Sequence, residues 1–304
     1  MSTPAADGVP QEPMDLVVQG PDLSPDAIAA FGHRFPTAPL RRQAASVRFT
    51  GVGPAAAVAA PAAELAARWR CDATVLSPRL KLADFRVLAV DMDSTLIRIE
   101  GIDELARLAG VGAEVAAITD AAMRGHIADY AESLRRRVAL LAGADASLMS
   151  VIAEQLMHLT PGAERLLAAA QRAGLRTLLV TGGFGFFARI LQRRLGIDAV
   201  HANEVIVQDG RLTGVVHGPG GTADGIVDAQ GKAQALMQAC SGSGCSTAQS
   251  IAIGDGANDL PMLALAGMAV AYHAKPRVRA ATRYALDYSG LDGVLEWFTD
   301  WPPG

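Results

Sequence analysis

The spacing of apolar positions changes character once along this chain. From Met14 to about Pro78, short apolar runs alternate with helix-like stretches. These are Leu16-Val17-Val18, a helical pattern after Ser24-Pro25, Ala45 to Phe49, an Ala-rich helix from Ala55 to Arg68, and Ala73-Thr74-Val75-Leu76. So few strands do not make a large sheet. The region predicts a small α+β accessory domain over 14–80, behind a polar, proline-containing flexible tail over 1–13. Beyond it the apolar runs become continuous: Val87 to Val90, Leu175 to Val180, Ile251 to Ile253 and Met268 to Tyr272. Runs rich in Val, Leu and Ile are strands buried on both faces, as in parallel sheets. Helical patterns lie between them. The second region, 81–304, therefore predicts an α/β fold, a doubly wound, Rossmann-like parallel sheet.

One interval breaks the alternation. A simple crossover reaches the next parallel strand through one helix. Here that helix is expected from Ala163 to Ala173, with Thr160 as N-cap and Pro161 at its first position. Before it lie roughly sixty residues, 97–159, with no strand signal, well beyond ordinary loop length. They carry helical periodicity at Ile102/Leu105/Leu108, Leu134/Val138/Leu141 and Leu148/Ile152/Leu156. A helical insertion right after the first core strand is placed to cover what that strand presents, and it reads as a cap. Further on, a helix from about Phe184 ends at Gly196 and another spans about Gly231 to Cys240. Between them Val205 to Thr213 reads as a hairpin with Asp209-Gly210 at the turn.

Composition narrows the class. Half of the 304 residues are hydrophobic and only 5% aromatic, which suits Ala-rich helices packed on Val-rich strands. A net charge of −4 provides no basic field for nucleic acid or an anionic membrane, so neither is an expected partner. Cys71, Cys240 and Cys245 cannot complete a disulfide set and lack metal-site spacing, so free thiols are expected. No apolar run is long enough to span a bilayer, and the N-terminus lacks a signal-peptide pattern. The expectation is a soluble, cytoplasmic protein.

Three strands end in polar clusters: Asp91-Met92-Asp93-Ser94-Thr95, Thr181-Gly182-Gly183, and Gly254-Asp255-Gly256-Ala257-Asn258-Asp259. Parallel strands bring all three to one sheet edge, where open α/β sheets bind ligands. Four carboxylates in one crevice resist ionising together. A hard divalent cation such as Mg²⁺, which takes carboxylates, waters and substrate phosphate, resolves that conflict. Each piece also has an ordinary reading. Asp and Ser often end strands in side-chain turns, Asp259 suits the N-cap of a helix from Leu260, and Gly-Gly after a strand is often only a turn. Alternatively, glycines before a helix N-terminus let backbone N–H groups approach a phosphate. Lys232, in a first helical turn, opposes the helix dipole; a local anion explains its position, and otherwise it is a solvated surface lysine.

Together, Asp91-Met92-Asp93-Ser94-Thr95, Thr181-Gly182-Gly183, Lys232 and Gly254 to Asp259 resemble the haloacid-dehalogenase-like phosphohydrolase superfamily. Within it the chain is similar to the phosphoserine phosphatases from about Val87 to Gly293. That similarity rests on Glu100, Ile102 to Ala106, Ala122-Met123-Arg124-Gly125, Ser133 to Val138, Gly182-Gly183-Phe184 and Ala271 to Pro276. The resemblance implies a capped hydrolase core and Mg²⁺-dependent hydrolysis of O-phosphoserine through an aspartyl-phosphate, the last step of serine biosynthesis. It implies that Asp91 is the nucleophile and Asp93 the general acid and base. It places Mg²⁺ on the Asp91 carboxylate, the Asp93 backbone carbonyl and Asp255, with Asp259 near. Thr181, Gly182 and Lys232 would surround the phosphoryl group, and Asn258 and Met123 would line the substrate. Glu100 would meet the substrate ammonium and Arg137 its carboxylate. Periodicity supports Arg137 independently. At about 100° per residue it borders the Leu134/Val138/Leu141 stripe, whereas Arg136 faces away and Arg135 falls on the other flank. Two departures stand out. Thr181 replaces the family's usual Ser and keeps the hydroxyl. One extra residue between Gly125 and Ser133 leaves Tyr130 outside the expected site. His126 and His273 read as structural or surface residues.

Other functions fit less well. A dehalogenase needs neither a second acid nor a cation, and an ion pump of related chemistry needs membrane helices. A phosphotransferase shares every residue named and is the runner-up. A regulatory amino-acid- or phosphate-binding protein would not need Asp93. The accessory domain reads as a packing or dimerisation module, through which a homodimer would form, with ACT-like amino-acid binding as the alternative.

Overall fold

A computed structural model describes residues 12–301 apart from Ala44, Gly125, Ala128 and 222–224; the Met123 side chain is likewise outside the described set. The expected tail over 1–13 falls almost wholly outside it. The chain divides into two compact units, Met1–Leu82 with Leu286–Gly304, and Ala83–Ala285.

The first unit contains β1 (Met14–Gln19), α1 (Pro25–Arg34), β2 (Leu40–Arg42), β3 (Ser46–Gly53), α2 (Ala55–Trp69) and β4 (Asp72–Leu76). Its antiparallel sheet runs β2-β3-β1-β4, a split βαβ arrangement. Strand β2 escapes the hydrophobic pattern because all three of its residues are exposed. Leu16, Val18, Phe31, Phe49 and Val58 form the core of this unit. The other register positions of the sheet carry buried polar groups. Arg48 pairs with Asp15 at 3.1 Å and donates to the backbone carbonyls of Glu296 and Trp297 at 3.1 and 2.7 Å. Asp72 accepts from the backbone N–H groups of Asp287 and Ser289 at 2.7 and 2.8 Å. These bonds explain a difference from the sequence-based division, which placed residues beyond 285 with the larger region. Buried side-chain anchors hold that segment, and such anchors leave no periodic trace.

The second unit contains β5 (Val87–Asp91), four helices α3 (Gly101–Leu108), α4 (Gly112–Met123), α5 (Tyr130–Ala139) and α6 (Ser147–Gln155), then α7 (Ala163–Arg172) and β6 (Arg176–Phe184). It continues with α8 (Gly185–Leu195), β7 (Ala199–Gln208), β8 (Arg211–His217), α9 (Ala229–Gly242), β9 (Ser250–Gly254), α10 (Leu260–Leu265), β10 (Met268–Tyr272), α11 (Pro276–Ala281) and β11 (Tyr284–Leu286). The sheet order is β11-β10-β9-β5-β6-β7-β8, with β5 parallel to both β6 and β9. The strand order therefore reverses at β5, and a crevice opens at its C-terminal end. Buried Val87, Ala89, Val180, Ala252, Leu236 and Met262 pack around this centre.

Among the described residues four helices, α3 to α6, occupy the insertion after β5, and its two roots are paired. Ile97 and Leu159 form an antiparallel bridge, and Thr160 N–H donates to the Leu96 carbonyl at 3.0 Å. The hairpin turn has positive φ at both Asp209 (49°) and Gly210 (74°), the type I′ geometry that matches strand twist. Helix α7 corrects one expectation: its N-cap is Gly162, in the left-handed region at φ 79°, not Thr160. Thr160 and Pro161 form the turn before it, and only glycine enters the helix from that φ without strain. The three cysteines are free. Among the described residues, no helix is long and apolar enough to cross a membrane.

Replacing Arg48 with Met should destabilise the first unit by about 3–5 kcal/mol, because it strands the buried Asp15 carboxylate and two carbonyls. Chemical denaturation followed by circular dichroism measures this, and a change under about 1 kcal/mol would show that the buried pair contributes little.

Candidate active site

Strand β5 ends at Asp91, and the chain then turns sharply. Ser94 has φ 56°, an uncommon value for a residue with a side chain, and its backbone N–H donates to the Ile99 carbonyl at 3.3 Å. Asp91 and Asp93, which an uninterrupted strand would aim the same way, meet different partners. The Asp91 carboxylate meets the Lys232 ammonium. Asp93 accepts from the Gly101 backbone N–H at 2.8 Å and from the Thr181 hydroxyl at 3.2 Å.

Lys232 lies in the first turns of α9, whose N-cap Asp228 accepts from Gly231 N–H at 2.7 Å. It is 1% exposed and bonds both Asp91 and, at 2.6 Å, Asp259. The surface-lysine reading therefore fails, and the local anion is a pair of carboxylates. Burial alone would lower the Lys232 pKa, but Asp259 and Asp91 together raise it above its ordinary value, so the ammonium stays charged. Asp259 does not cap α10 with its side chain. One oxygen holds Lys232, and the other accepts from Gly256 N–H at 3.0 Å.

Asp91, Asp255 and Asp259 each turn an oxygen into one cluster, all within 4.8 Å of one another and all buried. Burial, then repulsion from Asp259, pushes the Asp91 carboxyl well above its ordinary range, against the opposing pull of Lys232. Burial and Asp259 also push Asp255 up to about 6. Three carboxylates share the Lys232 ammonium, with Lys275 also acting on Asp255, so negative charge is in excess. A cation offsets that excess, and an all-oxygen set is what a hard cation requires. Both oxygens of Asp259 are already engaged, so Asp91 and Asp255 are the carboxylates left to face an ion. Asp93 stands apart. Burial and then the Glu100 charge push it up to about 7, with Gly101 N–H and Thr181 pulling the other way.

The C-terminal end of β6 forms the opposite wall. Thr181 Oγ1 accepts from Gly183 N–H at 2.8 Å. A Cβ on Gly183 would fall 2.7 Å from an Asp93 oxygen, so the close backbone approach requires glycine. Asn203 clamps this strand end, donating from Nδ2 to the Gly182 carbonyl at 2.9 Å and accepting from Val227 N–H at 2.7 Å. The sequence reading missed Asn203, which sits in a strand that also carries His201, Glu204 and Gln208 and so offers no local signal. Asn258 is half-buried beside Asp259, with its Oδ1 turned over Gly256 rather than bonded into the carboxylate cluster.

Helix α5 supplies the cap side. Leu134 and Val138 are buried, while Arg135 and Arg136 are exposed and Arg136 pairs with Glu132. Arg137 is half-buried, and its Nε is buried without a hydrogen-bond partner among the described residues. Glu100 is exposed at the rim and accepts from the Ser94 hydroxyl at 2.7 Å. The Met123 side chain, expected near the substrate, lies outside the described residues. Tyr130, which the sequence reading left out, belongs here. Its hydroxyl lies directly over Gly182, where a Cβ would collide with it. Burial raises the phenol pKa; Arg137 and Lys232 oppose the rise, and Asp93 and Asp91 add to it. The available signal was helical spacing, since Tyr130 and Arg137 are seven residues apart and share a face.

Comparison with known proteins agrees with this geometry. Residues 88–264 match the family model of haloacid dehalogenase-like hydrolases. A phosphoserine phosphatase of Polaromonas sp. is 52% identical over 223 residues, covering 73% of this chain and 93% of that protein. A probable phosphoserine phosphatase from Vibrio cholerae superposes with TM-score 0.78 at 33% identity, covering 93% of this chain and 85% of that one. A phospho-aspartyl intermediate analogue of a phosphoserine phosphatase superposes with TM-score 0.64 at 32% identity, covering 71% of this chain and 99% of the other. With the matching model spanning more than half of its length, the chain belongs to the haloacid dehalogenase-like hydrolase family.

Proposed function

We propose that this protein is a Mg²⁺-dependent phosphoserine phosphatase that works through an aspartyl-phosphate on Asp91. The observation that carries the reading is the contrast between two carboxylates two residues apart. Asp91 is held against a buried ammonium, whereas Asp93 is held by a hydroxyl and an amide and pushed up to about 7. Environments that drive two acids apart in this way are how one site runs acid and base steps near neutral pH.

In the first half-reaction an Asp91 oxygen attacks phosphorus while the bond to the serine oxygen breaks, and Asp93 donates its proton to that oxygen. In the second, Asp93 takes a proton from a water attacking the same phosphorus. The bond to Asp91 breaks, and phosphate leaves with Asp91 restored. Lys232 and the segment Thr181-Gly182-Gly183 offset charge on the phosphoryl group, where catalysis is mostly positioning plus electrostatics. Asp91, Asp255 and the Asp93 backbone carbonyl would hold Mg²⁺, which supplies positive charge against the phosphoryl oxygens.

Selectivity for phosphoserine rests on the cap. A buried guanidinium N–H with no partner among the described residues favours a ligand carboxylate, which arginine binds in bidentate fashion. Glu100 at the rim supplies the complementary charge for an ammonium group. Chemically similar relatives that carry the phosphoserine phosphatase name support the same assignment.

Asp91→Asn should abolish phosphate release, since the amide cannot accept the phosphoryl group. Turnover within tenfold of the parent enzyme would sink the covalent mechanism. Arg137→Ala should lower kcat/KM on phosphoserine about 30- to 1000-fold, the loss of a buried charge-paired contact, and leave p-nitrophenyl phosphate nearly unchanged. Equal losses on both substrates would make Arg137 structural.

The cation prediction follows from proton linkage. Asp255 and Asp93 have folded values above those of the unfolded chain. The folded metal-free protein therefore binds more protons than the unfolded one, and stability drains away as pH rises through about 4 to 7. Bound Mg²⁺ compensates the ionised carboxylates. The melting temperature gained on adding Mg²⁺ should therefore grow between about pH 5 and pH 8. A gain independent of pH in differential scanning fluorimetry would contradict the assignment of the acidic cluster to a cation.

A further inference from the structure

The Tyr130 side chain has no place in the chemistry described so far, yet it reaches the centre of the site. It opens helix α5 just after the N-cap Asp129, whose carboxylate accepts from Ala131 N–H at 2.9 Å. Two turns later on the same face comes Arg137, about 10.5 Å along the axis at 1.5 Å per residue. From the first turn the ring extends across to the opposite wall, and its hydroxyl rests on the backbone of Gly182. Gly182 lies between Thr181, bonded to Asp93, and Gly183, bonded to Thr181, and its carbonyl is fixed by Asn203. The wall beneath the hydroxyl is therefore rigid.

Among the described residues nothing donates a hydrogen bond to this hydroxyl or accepts one from it. Arg137, Lys232, Asp93 and Asp91 all act on it electrostatically. A phenol in this position keeps its proton and can only donate to an anion. Tyr130 is half-buried, and its hydroxyl, set against the Gly182 backbone without a protein acceptor among the described residues, is open to a ligand oxygen.

We propose that the Tyr130 hydroxyl is an additional hydrogen-bond donor to the phosphoryl group of the substrate, delivered from the cap above Gly182. The inference rests on the phosphatase reading above and adds a residue to it. It divides the labour along α5: Tyr130 contacts the group common to all phosphomonoesters, and Arg137 contacts the carboxylate that marks phosphoserine. A cap that closes over the site thus contributes to the transferring group itself as well as to selectivity. Because the phosphoryl group gains a donor only when the cap is in place, the hydroxyl also ties turnover to closure.

Tyr130→Phe removes one oxygen and preserves the ring. Three measurements test it in the Mg²⁺-loaded full-length chain: kcat/KM on phosphoserine, kcat/KM on p-nitrophenyl phosphate, and inhibition by inorganic phosphate, with melting temperature as the check on folding. The expected result is a five- to tenfold fall in kcat/KM on both substrates, roughly one neutral hydrogen bond. Inhibition by phosphate should weaken by a similar factor, with melting unchanged. Two outcomes overturn the proposal: a variant matching the parent in all three measurements, or a loss confined to phosphoserine, which would assign the hydroxyl to the carboxylate. If the parent enzyme instead ignores phosphoserine but hydrolyses p-nitrophenyl phosphate, the substrate assignment fails. The comparison of phosphate inhibition between parent and Tyr130→Phe still decides the role of the hydroxyl.

Discussion

A single buried ammonium organises this site. Placing Lys232 where water cannot reach it costs several kcal/mol of lost hydration, which only close, well-bonded carboxylates offset. Asp91 and Asp259 provide that offset from two different strand ends, β5 and β9, while α9 carries the lysine. The ion pairs thus fix three elements relative to one another at the point where chemistry occurs. Asp259 then passes the constraint on, because its second oxygen holds Gly256 N–H and with it the loop that carries Asp255. An acid that looks like a helix cap in the sequence is in fact the brace between the lysine and the loop that carries Asp255.

That arrangement leaves the carboxylates resisting ionisation together. On the mechanism proposed above Asp91 attacks phosphorus as an anion, yet burial and Asp259 both oppose its ionisation. Positive charge brought to the cluster would relieve that opposition. Asp93 is bonded differently: Gly101 N–H and the Thr181 hydroxyl hold it, rather than the Lys232 ammonium. Two residues of separation in sequence become two electrostatic environments.

The sequence made the core readable because its strands are buried on both faces and so are continuously apolar. Polar residues that end such strands are conspicuous, and Asp91, Asp93, Thr181, Asp255 and Asp259 stood out for that reason. Lys232 was legible through its awkward place at a helix start. What stayed hidden involved contacts between distant segments. Asn203 acts through two backbone groups, one on β6 and one just before α9, and nothing local distinguishes it from a tolerated polar residue. Strand β2 has no buried residue, so it left no pattern. The anchoring of the last segment by Arg48 and Asp72 depends on side chains more than two hundred residues away. Tyr130 was obscured by one extra residue in the preceding loop. Spacing along the chain shifted, whereas helical phase relative to Arg137 did not, and phase decides what a helix presents.

The position of the cap follows from the same chemistry. The segment that leaves the nucleophile passes through the acid, the turn at Ser94 and Glu100, and enters the first cap helix at Gly101, whose N–H bonds the acid. The acid is therefore bonded to the base of the lid. Any movement of α3 away from β5 would lengthen that bond and remove one of the contacts favouring the charged form of Asp93. A Cβ on Gly101 would also crowd Phe187 at 3.2 Å, so the lid's first residue has little freedom to shift without disturbing α8. The paired roots at Ile97 and Leu159 tie the two ends of the insertion together. A crevice from which water is excluded strengthens every charge interaction in it, including the burial and the Glu100 charge that push Asp93 up to about 7.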